Sequence, residues 1–590
     1  MTYLTPGDPS KRLKKVIAAI LVLVAVFAIR LIDLQIIQAD EINAKSYEKR
    51  AVTRVIPALR GEILDVNGNV LAKTILRYDI NAAPSKVGPV NRKVSGQTVA
   101  IPVEQIAAEI AAILGMTAAE VTSKITGTGE YSQIKKRANA SEYRKILSLN
   151  VPWLYYDPVA ERVYPNGAVA GNILGFITQS GLMEGIEQQY NKCLSGVDGE
   201  ESFEKGKDGI KIPSSVITTK KAVPGKNVRL TIDSDLQYFA QQVMASTVSY
   251  LRADWGTATI IEVKTGRILA AAEAPSVDPN DPGKLSADDR RARIFQAAFE
   301  PGSTLKTVTA ATVIDSGMGS PNMKVTAPYG MKIPNSNGYT VTDSHVHPVE
   351  QLTMTGVLAE SSNTGIMNVG KVVDWKTRYS YFEKFGLGKR TSINFPGEGS
   401  GLLNSRETWA NDGVKRYVSM FGQGVSVTPI QSAMMYQAIG NGGVRLNPVL
   451  VDGCEADVDS FKPAEEKPGV QVISKGTAAQ TLSMLERVVE SGAIGKYGAI
   501  PGYRVGAKTG TAQIRDENTG KYAGPYAISY FGIAPIDKPQ YVVAVTAFKS
   551  RTVGSSLGVA VPFKKIMQQV LRTYRVPPST TKTSDLPLNW

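Results

Sequence analysis

The chain has 590 residues, with 67 Lys plus Arg against 53 Asp plus Glu for a formal net charge of +14, and only two Cys and two His. With 43% apolar and 20% charged residues this is globular composition, and at roughly 150 residues per domain the length calls for several folding units. Cys193 and Cys454 alone exclude a multi-disulfide framework or a Cys-rich metal cluster, and with His345 and His347 as the sole imidazoles, acid–base chemistry is expected to use another base.

The first predicted element is a membrane helix over Val16 to Ile37, which would extend about 33 Å against a hydrocarbon core of about 30 Å. Arg30 and Asp33 interrupt it at i, i+3 spacing, where they can pair. No A-x-A cleavage site follows, so an uncleaved anchor is preferred to a signal peptide. Lys11, Arg12, Lys14 and Lys15 precede the span, whereas Gln38 to Ala44 has no basic residue, which places the N-terminus in the cytoplasm and the rest of the chain outside. The positive excess then suits an anionic membrane or wall polymer rather than nucleic acid.

Next comes a short strand-like run and RGEILDVNGNVLA, where Asn67-Gly68 between apolar alternations signals a hairpin. Helical periodicity marks Val103 to Leu114 and Ala118 to Ile125, mixed segments fill Val163 to Ile177, and Gly185 to Leu194 is helix-like. A Gly- and Lys-rich passage, Gly196 to Gly225, places a domain junction near Lys221. A helix is predicted over Ser234 to Leu251, then a hairpin of Gly256 to Val263 and Arg267 to Ala272 about Lys264-Thr265-Gly266. A helix after Ser303, further helices between Met354 and Phe385 and at Ile430 to Ile439, strands at Tyr503 to Ile514, Ala527 to Ala534 and Tyr541 to Phe548, and a helix over Val561 to Tyr574 complete the pattern. Helices bracketing an antiparallel sheet make an α+β sandwich. Asp452 to Gly469 reads as a solvated loop and Pro577 to Trp590 as a loose tail. The expected organisation is a tail (1–15), a transmembrane helix (16–37), a mostly β or mixed module (38–221), an α+β domain (222–576) and a C-terminal tail (577–590).

Scarce histidine directs attention to serine paired with lysine, a nucleophile and base that dispense with imidazole. Ser-x-x-Lys occurs at Ser46/Lys49, Ser132/Lys135, Ser202/Lys205, Ser303/Lys306 and Ser579/Lys582, so the bare pattern has little weight. Context singles out Ser303, which follows Phe299-Glu300-Pro301-Gly302 and opens an apolar run; Lys306 would lie one turn on, on the same face. A helix N-terminus disfavours an ammonium there, and its free N–H groups can bind an oxyanion. The plainer alternative is a capped core helix with an exposed lysine. Lys508-Thr509-Gly510 lies in RVGAKTGTAQ, where Thr509 and Thr511 can share a strand face and Gly510 is expected to let a ligand approach the backbone. Ser361-Ser362-Asn363 stands between the two.

The order Ser303-x-x-Lys306, Ser361-x-Asn363, Lys508-Thr509-Gly510 resembles the penicillin-binding proteins, class B. Further matches are GLMEGIEQQYNKCLSG, LTIDSDLQ, APSVDPND, FEPGSTLK and FGQGVSVTPIQ, with Val66 a departure where the family more often has Arg. The resemblance implies a pedestal module over 38–221 and a transpeptidase domain over 222–576, with no cofactor or metal. It implies that Ser303 attacks a D-Ala-D-Ala stem peptide, Lys306 is the base, Ser361 relays the proton, Asn363 holds the substrate amide and Lys508 orients Ser361. Thr509, Gly510 and Thr511 would take the terminal carboxylate, with the N–H groups of Ser303 and Thr511 as the oxyanion hole. Beta-lactams would acylate the same serine. GVSVTPIQ looks like the division-type enzyme, which works with a SEDS-type lipid II polymerase and other divisome membrane proteins. An elongation-type paralogue, a penicillin-binding sensor without turnover, and a carboxypeptidase or beta-lactamase are the alternatives. His345 and His347 are expected to be ordinary surface or cleft residues, and an external location permits a Cys193–Cys454 disulfide.

Overall fold

The computed structural model describes residues 9–42, 45, 51–94, 96–178, 180–204, 215–334, 336, 338–457, 460–462, 468–515 and 522–590. The apolar N-terminal run forms an α-helix over Pro9–Ile32 that continues as a π-helical turn over Asp33–Ile37. It is long and apolar enough to cross a membrane, and Arg30 pairs with Asp33 as their spacing predicts.

The chain divides into two compact units, Met1–Leu59 with Ile75–Glu161 and Gly196–Pro224, and Arg60–Thr74 with Arg162–Ser195 and Gly225–Trp590. In the first unit, strand Ala51–Ile56 pairs antiparallel with Gly199–Glu204, which pairs in turn with Ile217–Lys220. The passage between those last two strands, 205–214, lies outside the described residues. Helices Val103–Leu114 and Ala118–Ile125 bury Ile106, Ile110, Leu114, Val121 and Ile125 with Ile134 and Trp153. Gly115 ends the first helix at φ +67°, and a reciprocal Thr117–Glu120 capping box starts the second.

The second unit holds the Asn67-Gly68 hairpin, in which Ile63–Leu64 pairs with the start of Val70–Ala82 and the Asp65 carboxylate accepts the N–H groups of Asn67 and Asn69. Its main body runs α1 (Ser234–Leu251), β1 (Trp255–Glu262), β2 (Ile268–Ala274), α2 (Lys306–Asp315), α3 (Met354–Glu360), α4 (Asn363–Gly370), α5 (Pro429–Gly440), α6 (Lys475–Ser491), β3 (Gly506–Arg515), β4 (Tyr522–Ala534), β5 (Tyr541–Ser550) and α7 (Leu557–Thr573). The five strands form one antiparallel sheet in the order β2-β1-β5-β4-β3, which leaves β3 at an edge. Alternation divides β4 and β5 between two cores. Ile528, Tyr530, Val543 and Val545 pack with α1 and α7, whereas Phe531, Ile533, Val542 and Ala544 pack with α5. Helix α5 is buried along its whole length.

Three segments differ from expectation. Val451–Glu455 is not a solvated loop but a strand antiparallel to Asn227–Leu230, in which the buried Asp452 pairs with Arg229 and Arg267; only the stretches 458–459 and 463–467 of that passage lie outside the described residues. Its acidic composition is neutralised by partners remote in sequence. Helix α6 was not anticipated. The tail after Pro577 is bound in place: the Leu588 carbonyl accepts the Thr353 N–H (2.8 Å), the Ser584 N–H reaches Glu486 (2.7 Å), and Arg504 reaches Thr581 (2.7 Å). Cys193 and Cys454 form a disulfide across 261 residues of sequence.

Candidate active site

Gly302–Leu305 forms a 3-10 turn that leads directly into α2, with Pro301 at its entry. The turn is fastened from below: Thr304 Oγ1 donates to the Pro301 carbonyl (2.8 Å), and the Tyr436 hydroxyl of α5 donates to the Thr304 carbonyl (3.0 Å). Pro301, Gly302, Thr304, Leu305 and Lys306 are buried, while Ser303 stays partly open to solvent. Two backbone segments close on this turn because glycine stands where each meets it. A Cβ on Gly422 would lie 2.2 Å from the Gly302 carbonyl, and one on Gly510 would lie 2.8 Å from Thr304 Cγ2 and 3.0 Å from the Pro301 carbonyl. The absence of a side chain at Gly510 thus lets β3 lie against the serine turn.

Lys306 is fully buried, and its Nζ donates to the Ser361 carbonyl and lies 3.4 Å from Ser361 Oγ. Lys508, also fully buried, donates to Ser361 Oγ at 2.9 Å and to the Thr509 carbonyl and hydroxyl at 3.2 and 3.1 Å. One hydroxyl therefore stands within reach of two ammonium-bearing side chains. Burial pushes the Lys306 pKa down to about 7, partly opposed by the Asp343 carboxylate. Lys508 is held well below the usual lysine range by burial and by the like charge of Lys306. Lys306 is thereby made available as a neutral amine near neutral pH, and the charged form of Lys508 is disfavoured.

Ser361 caps α3 in the left-handed region at φ +59°, a conformation that costs a non-glycine residue about 1–2 kcal/mol. Asn363 opens α4, and its Nδ2 donates to the Thr342 carbonyl (2.9 Å). Beneath both lies a residue that the motif search missed. Asp343 is buried, and it accepts hydrogen bonds from the Asn363 N–H, the Thr364 N–H (3.1 Å) and the Ser362 hydroxyl (2.6 Å), while its Oδ2 lies 3.1 Å from His347 Nε2. No spacing rule marks it, since it precedes the Ser361 motif in a separate loop.

On β3, Lys508 faces inward while Thr509 is half-buried and Thr511 exposed. Ser556, just before α7, donates to the Gly510 carbonyl (2.7 Å) and lies 3.2 Å from Thr511 Oγ1, so the C-terminal helix holds the edge strand in place. The second Lys-Thr-Gly, at Lys264, is a hairpin turn closed by a Gly266 N–H to Glu262 carbonyl bond (2.9 Å). Lys135 of the Ser132 motif donates to the Leu114 carbonyl and Glu142, not to its serine. His345 is exposed, and no group of three metal-ligating side chains is present among the described residues. Thus the structure gathers Ser303, Lys306, Ser361, Asn363, Lys508 and the threonines of β3 into one place in the second unit.

Comparison with known proteins agrees over nearly the whole chain. A model of the penicillin binding protein transpeptidase domain matches residues 256–568, and one of the penicillin-binding protein dimerisation domain matches 55–230. The chain is 33% identical over 586 residues to penicillin-binding protein PbpB of Mycolicibacterium smegmatis, which covers 95% of this chain and 90% of that one. It is 29% identical over 564 residues to peptidoglycan D,D-transpeptidase FtsI of Escherichia coli K12, covering 94% and 90%. Among solved structures, penicillin binding protein 3 of Mycobacterium tuberculosis, complexed with aztreonam, superposes with a TM-score of 0.68 at 27% identity and covers 91% of this chain and 100% of that one. The chain belongs to the class B penicillin-binding proteins, a family of serine-type D,D-transpeptidases.

Proposed function

We propose that this penicillin-binding protein cross-links peptidoglycan stem peptides during septal wall synthesis, with Ser303 as its nucleophile. The observation that carries the reading is that Ser361 Oγ is within reach of both Lys306 and Lys508, while Ser303, in the turn that leads into Lys306, is partly open. Neutral Lys306 takes the Ser303 proton as Oγ attacks the carbonyl carbon of the penultimate D-Ala. The oxyanion is stabilised by the N–H groups of Ser303 and Thr511, each such donor typically being worth about 3–4 kcal/mol. Ser361 passes a proton to the departing D-Ala nitrogen, with Lys306 as the source and Lys508 orienting the hydroxyl. The acyl-enzyme then yields to the amine of a second stem peptide by the same steps reversed, which regenerates Ser303. Asn363 holds the donor amide, and Thr509 and Thr511 take its carboxylate along the edge strand. Residues 38–221 serve as pedestal, 222–576 as the catalytic domain and 577–590 as its tail.

Lys11 to Lys15 before the anchor support a cytoplasmic N-terminus and an external catalytic domain. The anchor and pedestal then offer surfaces to a lipid II polymerase of the divisome. Beta-lactams, present in a solved relative, acylate Ser303 as mimics of the dipeptide. Fluorescent penicillin added to membranes labels the wild type and misses Ser303→Ala; labelling that survives the substitution contradicts the nucleophile assignment. A fluorescent fusion gathers at the septum, whereas uniform lateral-wall signal favours an elongation role.

A further inference from the structure

Of the chain's two imidazoles, His347 is built into the floor of the active site. Its side chain is 6% exposed, and both ring nitrogens face oxygen. Nδ1 lies 2.7 Å from the Pro348 carbonyl, which can only accept, so Nδ1 carries a hydrogen. Nε2 lies 3.1 Å from Asp343 Oδ2, a carboxylate oxygen. A neutral imidazole has one N–H and satisfies one of these acceptors; an imidazolium satisfies both. The surroundings reinforce the cation. Glu350 Oε2 on the strand leading into α3 lies 3.8 Å from Nδ1, and the carboxyl of Glu360 at the end of α3 feels the charge of His345 and His347. The Tyr329 ring stands edge-on at 6.0 Å, and the His345 ring is 5.5 Å away. Burial opposes the charge, but the Pro348 carbonyl and the carboxylates of Asp343 and Glu350 outweigh it and raise the His347 pKa above the usual range.

Asp343 transmits this to the reacting groups. Its Oδ1 receives the N–H groups of Asn363 and Thr364, and its Oδ2 receives the Ser362 hydroxyl, whose oxygen accepts the Gly365 N–H (2.8 Å). The carboxylate thus fastens the start of α4, directly after the left-handed Ser361. Lys306 also feels its charge.

We propose that His347 is a positioning residue for acyl transfer: as an imidazolium it fixes Asp343, and Asp343 fixes the Ser361-Ser362-Asn363 turn so that Ser361 Oγ stays between Lys306 and Lys508. The inference rests on the reaction proposed above. A neutral His347 leaves a ring lone pair or a missing donor against Asp343, and the turn loses one charge-assisted restraint.

The test compares acylation of the full-length protein by fluorescent penicillin, in membranes, for wild type and His347→Gln across pH 5.5 to 9. Gln keeps a neutral donor but carries no charge, so the wild-type advantage is expected to be about tenfold at the acid end, the scale of a charge-assisted bond, and to fall toward unity as pH rises. The Lys306 midpoint is fitted in each protein, because Lys306 feels the Asp343 charge, and the ratio is taken at matched Lys306 protonation. A residue that only fills space gives a ratio independent of pH, and that result overturns the proposal. In an Asp343→Asn background, His347→Gln is expected to have no further effect; an undiminished effect there also overturns it. Should His347→Gln fail to fold, 15N-imidazole spectra of the wild type decide, since only two histidines contribute. His347 with both nitrogens protonated at pH 6 supports the proposal, and a neutral ring at that pH refutes it. Failure here, with labelling still abolished by Ser303→Ala, removes the role of His347 and leaves the reaction intact; labelling that survives Ser303→Ala removes the reaction itself.

Discussion

Two of the places in the second unit that bury positive charge treat it in opposite ways. Around Glu187, which is fully buried, Arg60 Nε and Arg162 Nε each donate to a carboxylate oxygen at 2.7 Å, with the Tyr164 hydroxyl completing the cluster at 3.2 Å. Arg60 donates further to Asn191 and the Glu187 carbonyl, and Arg162 to the Gly61 carbonyl. At the active site, Lys306 and Lys508 are buried together, and their hydrogen bonds go to hydroxyls and carbonyls rather than to carboxylates. The arginines share a carboxylate and tie Arg60–Thr74 and Arg162–Ser195 to one another. The lysines are driven toward neutrality, which is what a base needs. Buried charge without a carboxylate partner is costly, and at Lys306 and Lys508 that cost falls on side chains of the candidate site.

Substitutions should break the comparison along these lines. Lys306→Ala removes the proposed base and is expected to slow acylation by fluorescent penicillin about a thousandfold, within the usual span for general-base catalysis, with little loss of melting temperature. Glu187→Ala does the reverse. Two arginines lose their shared carboxylate, and chemical denaturation is expected to show a loss of about 3–5 kcal/mol, with the pH dependence of acylation unchanged. A stability loss below about 1 kcal/mol would show that the cluster is not compensated as described. Lys508→Met is the subtler case. Replacing a buried, uncompensated amine by an apolar chain of similar length is expected to leave the melting temperature unchanged or raise it slightly, while acylation slows because Ser361 loses its donor.

The same contrast explains what could be read from sequence. Helices Val103–Leu114, Ala118–Ile125 and Ser234–Leu251 begin and end where periodicity and caps predict, because Gly115, Thr117 and Asp233 act within a few residues of themselves. The serine and lysine motifs were legible for the same reason, each being short and in order. Asp343 and His347 were not, because their effect depends on a loop folding under α4. The strand at Val451–Glu455 looks solvated until Arg229 and Arg267 are brought to Asp452. The tail has no periodicity at all, and is held by the backbone of Thr353 and by Glu486 and Arg504. Gly510 is legible as a place of close approach, but only the structure puts Thr304 and Pro301 against it.

The central claim is that Lys306 is an amine made neutral by burial so that it can take the Ser303 proton. Its folded pKa lies below that of a free lysine, so the neutral fraction, and with it the rate of acylation, rises as pH increases through about 7. The most direct measurement is the second-order rate of Ser303 acylation by fluorescent penicillin from pH 5 to 10. A rise with its midpoint near 7 is expected, carried over unchanged into Glu187→Ala; a rate independent of pH, or one that climbs only near the ordinary lysine pKa, would contradict the account.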